Sequence, residues 1–137
     1  MVFVGRNVNG ETPEDQRLVL RRNVTNLELW QTTPAGTFLV DRQPLNLVRS
    51  VRVTGASIDY DTLVVDFHAG GSFSVPGGIV FDGGGEELAN ILEIIGVGNE
   101  GAVYRPAAVS PARGEVLVHG QSIAFGDCEV AFFSACP

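Results

Sequence analysis

The chain has 137 residues, 45% of them hydrophobic, and a formal net charge of −7. That length suits one domain with a substantial core, and the apolar fraction excludes a disordered chain. The acidic balance argues against a nucleic-acid backbone or an anionic membrane as partner, and no apolar run approaches the roughly 20 residues needed for membrane insertion as a helix.

The start, MVFVGRNVNGETPEDQ, lacks the basic segment and apolar core of a signal peptide. Two expectations follow: an intracellular protein, or a mature piece of something longer. The next segments, RLVLR and LELW, alternate like strands and resemble VRVTG and LVVDF further on, so residues 1–35 read as the tail of a repeat copy. Trp30 falls here. With Phe38 and Tyr60 it would line a sugar-binding face, and otherwise it takes an edge or cap position. Asn23-Val-Thr25 has the form of a glycosylation sequon, a pattern that arises often by chance.

From residue 36 a repeat emerges. GTFLVDRQPLNL at Gly36 aligns without gaps with GEVLVHGQSIAF at Gly114, matching Gly36, Leu39, Val40 and Gln43 to Gly114, Leu117, Val118 and Gln121. A weaker copy starts at Gly77 and sets Asp82 on Asp41; the same register puts Val51-Arg-Val-Thr-Gly55 on Leu92-Glu-Ile-Ile-Gly96. The expected copies are therefore 36–76, 77–113 and 114–137, with a period near 40. Short apolar runs predict strands over Ser50–Thr54, Thr62–Phe67, Ile79–Phe81, Ile91–Ile95 and Glu115–Val118, and no helical period is convincing. The predicted fold is all-β: a parallel β-helix or β-solenoid, with an antiparallel β-sandwich as the alternative. A solenoid whose last copy stops partway needs caps, so self-association through its ends, or pairing with neighbouring repeats of a longer chain, is expected.

VRVTGASIDYDTLVVDFHAGGSFSVPGGIVFDGGGEELANILEIIG, followed by VYRPAAVSPARGEVLVHGQSIAF, resembles repeat segments of very large secreted or surface proteins of bacteria, notably planctomycetes. The resemblance covers most of residues 37–133. It implies a parallel β-helix in an extracellular or cell-surface, adhesin-like protein, and no catalysis. The chain departs from that pattern in lacking a visible export signal.

Two acidic stretches bear on chemistry. FDGGGEELAN (81–90) is a degenerate form of the calcium-binding nonapeptide, in which Asp82, Glu86 and Glu87 would supply carboxylates. It lacks the aspartate expected after the glycines, and its alignment partners carry no comparable ligands. A tight turn is therefore the favoured reading and calcium the alternative; no other cofactor is suggested. The same stretch lacks the Lys-Ser/Thr of a phosphate loop. Asp59, Asp61 and Asp66 form the second cluster. Asp59 and Asp61 are weak ligand-binding candidates for calcium or a carbohydrate, and Asp66 is expected to face solvent. His68 and His119 read as exposed turn residues without a catalytic partner. Cys128 and Cys136 leave a disulfide open but make no framework, and no further ligands support zinc. The expected role is a non-catalytic structural or adhesive module; a small calcium- or carbohydrate-binding module is the alternative.

Overall fold

The computed structural model describes residues 1–4, 15–33, 36–55, 60–83, 90–97, 102–107, 110–126 and 128–133. Among these the chain is all-β, with one 3-10 turn at Leu45–Leu47 and no α-helix. The strands are β1 (Val2–Val4), β2 (Asp15–Asn23), β3 (Asn26–Thr33), β4 (Gly36–Pro44), β5 (Val51–Thr54) and β6 (Tyr60–Asp66). They continue as β7 (Ile79–Asp82), β8 (Ile91–Ile95), β9 (Val103–Ala107), β10 (Ser110–Val118), β11 (Gln121–Gly126) and β12 (Glu129–Phe133). They form two open six-stranded sheets, ordered β1-β5-β7-β11-β10-β9 and β12-β8-β6-β2-β3-β4.

Both sheets are mixed, and their parallel parts are related. In the first, β1, β5, β7 and β11 run parallel; in the second, β2, β6, β8 and β12 do. Each parallel strand of the first sheet is followed in the chain by its counterpart in the second, and both sheets keep the same order. The remaining strands are antiparallel additions. β3 and β4 extend the second sheet beyond β2, and β10 and β9 extend the first beyond β11.

Alternating apolar residues explain why these segments fold as strands with one face inward. In the first sheet, Val51, Ile79, Ile123 and Val116 make one inward row, and Phe3, Val53, Phe81 and Phe125 the next. In the second, Leu18, Leu63, Leu92 and Val130 face them, with Leu20, Val65 and Ile94 alongside. Leu27 and Leu29 continue that surface onto β3, and all of these residues belong to one hydrophobic cluster. The two sheets therefore share a single core, as layered β structures must.

β6 is buried on both faces. Val64 points away from the core yet is 1% exposed. Arg17 on β2 bonds Glu93 on β8 at 3.1 Å, and β6 lies between those strands, so the two side chains cross over its outer face.

The pairing register differs from the register of the repeat alignment. Val51 pairs with Ile79, not with Leu92, and Thr62 pairs with Ile91. Gln43 and Gln121, identical in that alignment, do different things. Gln43 donates from Nε2 to Asp41 Oδ2 at 2.9 Å on an outer strand. Gln121 is buried, and its Oε1 accepts the Val75 N–H at 2.5 Å, tying the Phe73–Val75 loop to the start of β11.

Candidate functional site

Among the described residues, a dense polar arrangement lies on the outer face of β2, β3 and β4. The two-residue connection Val24-Thr25 makes Asn23 and Asn26 partners, which sets Arg21 opposite Glu28; β4 then sets Arg42 opposite Glu28 on its other side. Glu28 is fully buried, although Leu27 and Leu29 beside it occupy the core face. Its Oε2 accepts Arg42 Nε and Nη2, both at 2.6 Å, and Asn23 Nδ2 at 3.2 Å. Its Oε1 accepts Trp30 Nε1 at 3.0 Å and lies 3.8 Å from Arg21 Nε. Burial alone would push the Glu28 carboxyl up. The hydrogen bonds from Trp30, Arg42 and Asn23, with the charge of Arg42, outweigh it and hold the group below the ordinary carboxylate value.

Trp30 is half-buried between Val19 on β2 and Leu39 on β4, with the Arg21 guanidinium 5.2 Å from its ring centre. The face therefore presents an apolar row of Val19, Trp30 and Leu39 beside a charged row of Arg21, Glu28 and Arg42. Phe38 does not join Trp30. It pairs with Gln31, the next residue along β3, and so points to the opposite face. The Tyr60 side chain lies outside the described residues.

At the turn end of this sheet two clefts meet at Arg22. One, of about 490 Å³, is lined by Arg21, Asn23, Val24, Ala69 and Gly70 besides Arg22. The other, of about 590 Å³, runs past Thr25, Pro44, Leu45, Val48 and Ser74. Arg22 itself is engaged, donating to Val24 O at 2.7 Å and Ser72 O at 3.2 Å. Val24 has φ 55°, a value β-branched side chains rarely adopt, and is 76% exposed.

Asp82 is exposed at the end of β7, while Glu86, Glu87 and Asp59 lie outside the described residues. Asp61 is fully buried beside Gly55, where a Cβ on that glycine would meet Asp61 Oδ2 at 2.3 Å; its backbone N–H bonds Asn90 Oδ1 at 2.9 Å. Asp61 on β6 lies level with Asn90, the residue before β8, and Cys128 continues the same level before β12. Cys136 lies outside the described residues.

Two expectations need correction. Asp66 is buried, because its Oδ1 accepts the backbone N–H groups of His68 and Ala69 at 2.8 and 3.0 Å and so closes the loop after β6. His119 is half-buried in the β10–β11 turn at φ 51°, with Nε2 2.6 Å from Gly96 O and its ring edge-on to Phe67. His68 is exposed, as expected.

Among the described residues, no group of three or more His, Cys, Asp and Glu is arranged to hold a metal ion. Glu28 was missed by sequence reading, although the Asn-Val-Thr-Asn turn carries the information that pairs it with Arg21. No family model, curated protein or solved structure matches the chain.

Proposed function

We propose that this chain is a non-catalytic structural repeat module, built as a short β-solenoid and displayed in an extracellular or cell-surface bacterial protein. The observation that carries the solenoid reading is the shared order of the two parallel stacks. Successive strand pairs, β1 with β2 through β11 with β12, add to the same side of what precedes them in both sheets. A coil that stacks on itself produces that order naturally, whereas hairpin-built sandwiches are dominated by antiparallel neighbours. A continuous apolar column and ladders of backbone hydrogen bonds make such a stack stiff along its axis, which suits a spacer or display element. The surface location rests on the resemblance of residues 37–133 to bacterial surface-protein repeats.

Paired cysteines test the stack. Arg52 and Val80 are register partners on β5 and β7, so the Arg52→Cys/Val80→Cys variant is expected to form a disulfide on mild oxidation. Arg52→Cys/Ala124→Cys spans two strand spacings and is expected not to. The reverse pattern would overturn the solenoid reading.

A second reading, a small ligand-binding module, is favoured by one observation: the Trp30 ring beside the Arg21–Glu28–Arg42 row. An aromatic platform flanked by hydrogen-bonding groups is what a carbohydrate ring requires. A glycan array with binders lost in Trp30→Ala would replace the structural reading with this one. A rise in melting temperature at millimolar calcium would instead point to the acidic stretch of Asp82, Glu86 and Glu87.

A further inference from the structure

The two ends of the molecule are stepped, and the steps match. At one end the first sheet stops at β1, while the second continues through β3 to β4. At the other end the second sheet stops at β12, while the first continues through β10 to β9. Each sheet overhangs by one hairpin, on opposite ends, and each totals six strands. A second copy translated along the stack would therefore seat its β1 beside β9 and its β4 beside β12, leaving no gap in either sheet.

Strand direction agrees with this. Two antiparallel steps make β9 parallel to β11, and hence to β1; in the same way β4 is parallel to β2 and β12. Both junctions would continue the parallel pairing of the interior. With rows running straight across, Phe38 of one copy meets the level of Val130 in the next, and Leu39 meets the level of Ala131.

The distribution of exposed apolar side chains is the independent observation. Among the described residues nine large hydrophobics are exposed, and seven of them sit on the four edge strands. Val2 on β1 with Phe38, Leu39 and Val40 on β4 marks one end. Val103 and Tyr104 on β9 with Phe132 on β12 marks the other. Monomeric sheets blunt their edges with charge or covering segments; among the described residues β1 carries no charge, and β4, β9 and β12 set these apolar side chains beside Asp41, Arg42, Arg105 and Glu129. We infer that the two ends are a heterologous interface for a second copy of this chain. The copies add head to tail, by edge-strand pairing, into an open stack that rises about 29 Å per molecule at about 4.8 Å per strand.

Taking the ends as working surfaces rests on the repeat-module reading above. If the disulfide of the Arg52→Cys/Val80→Cys variant forms and the ends fail to associate, the module reading stands and this one falls. The test uses two blocked variants, Phe38→Lys/Leu39→Lys at the β4 end and Val103→Lys/Phe132→Lys at the β9/β12 end. Each is checked for a cooperative melt, and Val103→Lys alone replaces the second variant if Phe132→Lys unfolds. By sedimentation velocity, wild type is expected to form a concentration-dependent series of species and each blocked variant to stay monomeric. An equal mixture of the two is expected to stop at dimers, because only one compatible junction remains. A wild-type chain that stays monomeric at its highest soluble concentration overturns the inference and leaves the ends to adjoining segments of a longer chain. A blocked variant that dimerises alone also overturns it, because each end would then pair with its own kind.

Discussion

Replacing Glu28 by glutamine keeps the volume of the side chain and removes the charge on which three strands converge. In the native arrangement a fully buried carboxylate receives Arg42 at 2.6 Å, Trp30 at 3.0 Å and Asn23 at 3.2 Å. Hydrogen bonds to a charged group contribute about 1.5–3 kcal/mol each where solvent cannot replace them. Here the Arg42 and Arg21 side chains are 48% and 40% exposed, so water takes back much of what they lose. The expected cost of Glu28→Gln at pH 7 is therefore about 2 kcal/mol. It would be read as a lower urea midpoint with unchanged slope, and as a drop of roughly 6–8 °C in Tm for a chain of this size. The pH dependence has a definite sign. The folded carboxyl lies below its ordinary value of 4.5, so its contribution is complete above that pH and is lost as pH falls through the folded value. The gap between wild type and variant should close on acidification below 4.5. A variant as stable as wild type at pH 7, or a gap that widens toward pH 3, would refute the network described here.

Two further substitutions probe backbone placement. Gly55→Ala sets a methyl group 2.3 Å from Asp61 Oδ2 and 2.7 Å from the Gly83 carbonyl oxygen of the adjacent strand pair, so overpacking should cost about 1–3 kcal/mol in chemical denaturation. Relieving one contact with Gly55→Ala/Asp61→Ala should leave a coupling energy above about 0.5 kcal/mol; strict additivity would show that the clash is absorbed elsewhere. Val24→Gly should instead raise stability by about 1 kcal/mol, since it removes a β-branched side chain from φ 55° at the first central position of a hairpin turn. An unchanged or lowered urea midpoint would mean that the turn relaxes out of that conformation.

The strands were largely legible because their cause is local. Alternating valine, leucine and isoleucine gave Ile91–Ile95 to the residue and located β5, β6 and β7 within two. Which strand lies beside which was less legible, because the alignment weighted glycine and glutamine matches that recur for unlike reasons. Gly36 and Gly114 carry φ 136° and 152° in strands of the two added hairpins, whereas Gly77 sits where a Cβ would strike the Arg49 carbonyl oxygen. The polar site was hidden for a related reason. An acid between two leucines reads as a solvent-facing residue, and Glu28 is buried only because arginines from two other strands arrive opposite it. Asp66 was misread in the same way, its burial depending on N–H groups two and three residues further along.

The arrangement of parallel stacks and terminal hairpins also dictates an order of events during folding. The antiparallel partners, Thr33 with Gly36 and Ala107 with Ser110, are sequence neighbours that meet within microseconds. Every parallel pair must instead close a long stretch of chain, as Arg52 does to reach Val2 or Asp15 to reach Tyr60. The end hairpins should therefore form first and the central strands last, so refolding should be slow, on the order of milliseconds to seconds. Mutations in β5 or β7 should act mainly on the unfolding rate. The two hairpins that terminate the sheets in the finished protein are, in time, where it begins.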